Sequence, residues 1–104
     1  MNELPSLTGA ERTRLRGLGQ TLSDSLRIGR SGLTPPLFLE LNRQLDHRGL
    51  VKARFDGADR AARATLCDQI AAQAPCLCVG AVGHTALFWR PGPTGSKLLA
   101  DDAG

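Results

Sequence analysis

The segment from residue 34 to residue 55 carries the clearest folding signals in this chain. Thr34 followed by Pro35 is typical of a helix start, because a hydroxyl can cap the first turn and proline lacks an N–H that would find no partner there. Leucine and phenylalanine then recur three and four residues apart until Gly49, a natural helix end. The residues that follow, LVKARF, alternate as a strand does. We therefore expect an amphipathic helix packed against a sheet.

The rest of the chain completes the element order αβαβαββ. The other helices are predicted at residues 8–20 and 59–74, and the other strands at 25–29, 76–82 and 85–90. Strands separated by a helix favour parallel pairing through a crossover, whereas the last two strands, joined at Gly83 and His84, favour an antiparallel hairpin. The expected fold is α/β: a single compact domain with one mixed four-stranded sheet and helices packed on it.

The length of 104 residues suits one domain with one hydrophobic core. We place this domain at residues 7–91, after a frayed N-terminus at 1–6 and before a Pro- and Gly-rich flexible tail at 92–104. No apolar run approaches the roughly 18 residues that cross a bilayer, and the N-terminus lacks the features of a secretory signal. We expect a soluble, cytoplasmic protein without a membrane partner.

Basic residues are concentrated in the first half of the chain. Residues 1–54 contain nine Lys or Arg against five Asp or Glu, whereas residues 55–104 contain four against five. Eleven of the 13 basic residues are arginine, whose planar guanidinium matches a phosphate group better than a point charge does. The distribution permits an anionic partner and favours its contact with the first half.

Three pairs of glycines have the spacing Gly-x-x-Gly, at residues 29–32, 80–83 and 92–95. Because a chain with 12 glycines contains roughly one such pair by chance, the spacing alone indicates little. Only the first pair lies between a predicted strand and the start of a long helix, with Arg27 and Arg30 beside it. Such a loop can bind phosphate through its backbone N–H groups, as in KH domains. The alternative is a tight strand-to-helix connection that uses glycine for backbone freedom.

Two consecutive prolines shift the expected contacts within this loop. Pro35 and Pro36 lack the N–H groups that a helix start normally offers to an anion. Most of the backbone contacts are therefore expected from the loop itself: Gly29, Arg30, Ser31, Gly32 and Leu33.

Several ordered blocks of the sequence together carry a family resemblance. They are a first helix with leucine and arginine, the block Ile28-Gly29-x-x-Gly32-Leu33-Thr34, the block Leu50-Val51-Lys52 followed by Arg54, and a last strand ending Phe88-Trp89-Arg90-Pro91. In these blocks the chain resembles the YhbY-like family of bacterial ribosome-associated proteins, the stand-alone form of the CRM domain. The resemblance spans about residues 7–91. His84, where lysine is common, and Pro36 depart from the family's pattern.

The resemblance implies a non-catalytic RNA-binding module. Its fold would be similar to the C-terminal domain of translation initiation factor 3, and its partner would be ribosomal RNA of the large-subunit precursor, with neither a cofactor nor a small-molecule substrate. The expected RNA-binding residues are Arg12, Arg16, Arg27, Gly29, Arg30, Ser31, Gly32, Leu33, Thr34, Lys52 and Arg54. The alternative is a protein-interaction module that binds a ribosomal protein or an assembly factor through an exposed apolar patch.

Two of these arginines and the only tryptophan also have structural interpretations. Arg12 and Arg16 could extend the RNA contact across the first helix, or form a solvated helix face. Trp89 could stack on a base, but its place in an apolar strand favours packing in the sheet.

The three cysteines offer a further alternative. Cys67, Cys76 and Cys78 are odd in number and lack C-x-x-C spacing, which favours buried reduced thiols over a disulfide or a zinc site. A small thiol-dependent or metal enzyme would rest on these cysteines alone. We expect no metal site.

Overall fold

The computed structural model describes residues 7–92, 94–95 and 98–99. Its element order, αβαβαββ, confirms the prediction. The elements are α1 (Gly9–Thr21), β1 (Leu26–Ile28), α2 (Pro35–Arg48), β2 (Leu50–Phe55), α3 (Arg60–Gln73), β3 (Leu77–Val82) and β4 (Thr85–Trp89). Among these described residues, no helix has both the length and the apolar character that crossing a membrane requires. The predicted frayed N-terminus, 1–6, lies outside them.

Side chains placed just before each helix determine where it begins. The Thr8 hydroxyl accepts a hydrogen bond from the Glu11 N–H (3.1 Å), and the Glu11 carboxylate accepts one from the Thr8 N–H (2.9 Å), which forms a capping box. Thr34 caps α2 as predicted, and the Asp59 carboxylate accepts from the first turn of α3. These caps satisfy N–H groups that have no partner within the helix.

β4 occupies the interior of a sheet whose strand order is β1-β2-β4-β3. β1 and β2 pair in parallel, and β3 and β4 form an antiparallel hairpin, as predicted. The expectation of parallel pairing is wrong for β2 and β3, because β4 lies between them and pairs antiparallel with both. The last four residues of β4 are buried, and they alternate between the two faces of the sheet. An outer position in the sheet would expose part of this apolar strand.

Helices cover the two faces of the sheet unequally. α2 and α3 cover one face, where Phe55 and Phe88 join a core cluster that includes Ile70 of α3. On the other face, Leu15 of α1 packs in a smaller cluster with Leu87. α1 packs against β2 and β3, and on this second face the Arg27 side chain of β1 stays exposed.

Part of the predicted flexible tail packs against the domain. The Nε1–H of buried Trp89 donates a hydrogen bond to the Gly95 carbonyl oxygen (2.9 Å), and Gly95 is itself buried against Gly49. Leu98 and Leu99 pack against the Leu15 cluster. A buried indole needs an acceptor, which the tail supplies, so these residues are packed and not loose. Residues 93, 96–97 and 100–104 of the predicted tail lie outside the described part of the chain. The position of Trp89 confirms the interpretation as a packing residue.

We expect Gly49→Ala to lower the free energy of unfolding by about 2–4 kcal/mol. Gly49 has a φ of 78°, which costs a side-chain-bearing residue about 1 kcal/mol, and an added Cβ would also overlap the Gly95 backbone. Gly57→Ala is the matched control, because its φ is 79° and an added Cβ would make only an ordinary contact with Arg30. It should cost only the backbone part, about 1 kcal/mol. Urea unfolding would measure both, and equal losses would contradict the role assigned to Gly95.

Candidate nucleic-acid interface

Three connections meet at one end of the sheet. Because β1 and β2 are parallel, the loops that follow them emerge at the same end, where the Asp56 N–H donates to the Ile28 carbonyl oxygen (2.9 Å). The β3–β4 turn joins them there, since the Phe55 N–H donates to the His84 carbonyl oxygen (2.8 Å). We call this surface the loop end. It comprises residues 29–34, 56–59 and 83–84, together with the side chains of Arg27 and Arg54 at the ends of the two parallel strands.

The loop between β1 and α2 is an exposed tight turn with open backbone donors. The Gly32 N–H donates to the Gly29 carbonyl oxygen (3.0 Å), so this N–H is not available to an anion. Within the described residues, the N–H groups of Arg30, Ser31 and Leu33 have no hydrogen-bond partner. Gly32 has a φ of 75°, a conformation that favours glycine. The same loop is therefore both a strand-to-helix connection and a set of available N–H donors.

The start of α2 adds no free N–H of its own. Pro35 and Pro36 are the first two helical residues, and both are exposed. The Leu37 N–H donates to the Thr34 hydroxyl (3.4 Å), and the Phe38 N–H donates to the Thr34 carbonyl oxygen (3.1 Å). Thr34 thus acts as the helix cap, and donors for an anion lie in the preceding loop, as expected from the prolines.

Arginines from both parallel strands converge on one carboxylate at the loop end. Arg27 and Arg54 are register partners, and their Nε atoms lie 3.1 Å and 3.7 Å from the two carboxylate oxygens of Asp56. The Arg27 side chain is 68% exposed and the Arg54 side chain 48% exposed. The Arg30 side chain lies beside Gly57. Because exposed ion pairs contribute only about 0–1 kcal/mol, a phosphate can replace the carboxylate at small cost.

The remaining basic residues that the sequence suggests hold α1 on the sheet. Lys52 Nζ donates to the carbonyl oxygens of Gly19 (3.2 Å) and Leu22 (3.3 Å) at the end of α1. Arg16 Nε donates to the Val79 carbonyl oxygen of β3 (2.9 Å), and Arg12 reaches the neighbouring Cys78 carbonyl oxygen (3.4 Å). The carbonyl oxygens at the end of α1 have the partial negative charge that cations stabilise.

The structure separates Arg12 and Arg16 from residues 29–34 of the loop end. β3, which Arg12 and Arg16 contact, is the outer strand on the side opposite β1. Arg16 and Lys52 line a groove of about 490 Å³ between the end of α1 and the sheet. The predicted RNA-binding residues therefore fall into two groups: one at the loop end, and one along the groove beside α1.

Sequence reasoning missed Asp56 and the arginines of α3 at this end of the sheet. Asp56 directly follows a strand, which is an ordinary place for a turn residue, and only the parallel register brings Arg27 to it. Arg60 and Arg63 lie in the half of the sequence without a basic excess, so the charge distribution did not indicate them.

The cysteines lie in and beside the core. Cys67 and Cys76 are buried and Cys78 is half-buried. A hydrogen bond from the Cys67 thiol lowers the pKa of Cys78 and raises that of Cys67, while burial raises the pKa of Cys76 to about 12. Within residues 7–92, 94–95 and 98–99, no three His, Cys, Asp or Glu side chains are grouped to hold a metal ion.

Comparison of the sequence with known proteins finds relatives that are described as RNA-binding proteins. A probable RNA-binding protein of Pseudomonas aeruginosa is 30% identical over 96 residues, which cover 92% of each chain. An RNA-binding protein of Haemophilus influenzae is 27% identical over 88 residues, covering 85% of this chain and 89% of the relative.

A solved structure has the same fold. The solution structure of a hypothetical protein from Staphylococcus aureus, described as a putative RNA binding protein, matches with a TM-score of 0.75 at 20% identity, over 84% of this chain and 91% of the other. The CRS1/YhbY (CRM) domain matches residues 7–90, which include all three connections of the loop end. The chain belongs to the CRS1/YhbY (CRM) domain family.

Proposed function

We propose that this protein binds structured RNA through the loop end, where backbone N–H groups and arginines hold phosphates. The observation that carries the proposal is the combination of open donors at Arg30, Ser31 and Leu33 with the exposed Arg27 and Arg54 side chains beside them. Backbone N–H groups and arginine side chains are both known to bind phosphate. In this proposal the N–H groups fix the position of the phosphate, and the arginines supply positive charge. The names of the two relatives, both described as RNA-binding proteins, agree with this proposal.

The mode of binding follows from what the loop end contains. It has arginines and backbone donors, and none of its residues is a Phe, Tyr or Trp on which a base could stack. Contacts to phosphate and to RNA shape therefore dominate over base recognition in this proposal. The role is one of binding, without catalysis.

The family resemblance extends the proposal to a cellular target. We infer ribosomal RNA of the large-subunit precursor as the ligand and assembly of that subunit, in the cytoplasm, as the setting. Ribosomal proteins would be neighbours in the same particle.

The surface favours RNA over a protein partner as the main ligand. A protein-docking module is expected to expose a contiguous apolar patch. In the part of the chain that the structure describes, the large apolar side chains that are exposed are Leu39 on α2 and Val82 on β3, which lie on different elements. The loop end, by contrast, brings the side chains of Arg27 and Arg54 to within 4 Å of one carboxylate, and Arg30 lies nearby against Gly57.

We expect the double substitution Gly29→Asp and Gly32→Asp to abolish RNA binding while the fold is kept. Nothing lies within 4 Å of a Cβ added at either position, so the change adds two negative charges to the loop without a steric clash. At Gly32, whose φ is 75°, Asp adds a backbone strain of about 1 kcal/mol, which Asp and Asn tolerate better than most residues. Gly9→Asp with Gly17→Asp is the control, since both positions on α1 are equally open. Filter binding would measure affinity and circular dichroism the fold. If the loop variant bound RNA with unchanged affinity, the two glycines would have only a structural role.

Affinity should also depend strongly on salt. If about four phosphates are neutralised, log affinity falls with log salt concentration at a slope of about −3, from the coefficient for single strands. A titration series from low to high salt, followed by fluorescence anisotropy, gives the slope directly. An affinity that does not change with salt would rule out this electrostatic mechanism.

The substitution Asp56→Asn should raise RNA affinity several-fold. The carboxylate now pairs with Arg27 and Arg54 and would repel an incoming phosphate, so its neutral isostere frees both guanidinium groups. Asp24→Asn is the control, because it makes the same charge change before β1, at the opposite end of that strand. Weaker RNA binding by the Asp56→Asn variant would mean that the carboxylate orients the arginines and does not compete for them.

A further inference from the structure

A second basic groove lies at the loop end, outside the residues assigned above. It is a space of about 440 Å³ between the first half of α3 and the β3–β4 hairpin. Its lining includes Arg60, Arg63, Cys67, Gly83 and Thr85. The Gly-x-x-Gly pair at residues 80–83 ends in the β3–β4 turn, which forms one wall of this groove. The spacing of the pair does not by itself indicate a function.

The two arginines of this groove differ in how they are held. Arg63 Nη1 donates to the Ala58 carbonyl oxygen (2.7 Å) and lies 3.3 Å from His84 Nδ1, so its guanidinium is fixed between α3 and the hairpin turn. Arg60 is exposed, and its side chain has neither an ion pair nor a hydrogen bond to any residue that the structure describes. One cation is therefore oriented in advance, and the other is available.

The acidic residue nearest in sequence does not neutralise this pair. Asp59 lies next to Arg60, but its Oδ1 accepts the Ala62 N–H (2.8 Å) as the cap of α3. Neither arginine forms an ion pair within the described residues, and no acidic residue is among those that line the groove. The groove therefore favours an anion, and the planar guanidinium groups match phosphate.

The groove meets the loop end at Gly83 and lies on the face of the sheet that α2 and α3 cover, whereas Arg27 and Arg54 lie on the other face. From β1 through β2 to β4, two strand spacings amount to roughly 10 Å, a distance that a few nucleotides of a single strand span. We propose that the RNA strand held at residues 29–33 runs past Asp56 into the α3–hairpin groove, where Arg60 and Arg63 neutralise two more phosphates. This inference rests on the proposed function and adds a defined path to it.

The test compares two oligouridines, of four and twelve nucleotides, by fluorescence anisotropy across a salt series. A loop of this kind clamps about four nucleotides, so only the longer RNA would reach the groove. For the double variant Arg60→Gln/Arg63→Gln, we expect about 25-fold weaker binding of the twelve-mer at about 0.1 M salt, because each of the two lost phosphate contacts lowers the affinity about fivefold. The slope of log affinity against log salt concentration should be shallower by about 1.4, which is about 0.7 for each lost contact. Binding of the four-mer should be unchanged.

Two further variants keep the test decisive. Arg43→Gln/Arg48→Gln removes two exposed arginines from the far part of α2 and should leave the slope for the twelve-mer unchanged. Arg60→Gln alone removes no internal hydrogen bond or ion pair among the described residues. It should weaken binding of the twelve-mer about fivefold, and such a loss in a folded variant excludes misfolding as the cause.

The outcomes separate the two proposals. If the wild-type protein binds the twelve-mer and Arg60→Gln/Arg63→Gln binds it with the same affinity and slope, the groove proposal is overturned and the loop proposal stands. If the α2 control weakens the twelve-mer equally, general charge attraction replaces the groove. If the wild-type protein binds neither oligouridine, the single-strand path into the groove is overturned, whereas the proposed function fails only if the protein also does not bind a structured ribosomal RNA fragment in the same assay.

Discussion

The burial of β4 between β2 and β3 sets the positions of the other elements. β4 pairs with both strands and contributes buried side chains to both core clusters, Ala86 and Phe88 on one face and Leu87 and Trp89 on the other. Because β4 is antiparallel to β2, the turn before it lies beside the end of β2. The apolar sequence of one strand thereby brings three connections together at the loop end.

The two groups of basic residues differ in what they would lose by binding a ligand. Asp56 is paired with Arg27 and Arg54 at the rim of the sheet. Because solvent weakens these ion pairs, replacing the carboxylate by a phosphate would require little free energy. Lys52 and Arg16, by contrast, donate to backbone carbonyls that would lose their partners if these cations turned outward. The first group is suited to an exchangeable ligand, and the second to keeping α1 in place.

Much of the fold could be predicted because it depends on local patterns. The cap at Thr34, the glycine after α2 and the stripe of leucines located α2 within a residue of its observed ends. The pairing of β2 with β4 could not be predicted from the crossover pattern, since it depends on how two apolar faces are covered at once. The packing of Gly95 under Trp89 was missed for a similar reason: a Pro- and Gly-rich composition predicts a loop but not its acceptors.

For the site, consecutive residues specify the chemistry, and strand pairing specifies which groups act together. The glycine loop, the prolines that remove helix donors, and the arginine-rich first half can all be read from the sequence. Only the sheet register places Arg27 and Arg54 around Asp56, and only the order β1-β2-β4-β3 moves Arg12 and Arg16 away from the loop. Charge and donor type belong to each residue wherever it lies, whereas the distances between these groups arise only when segments far apart in the chain pair in the sheet.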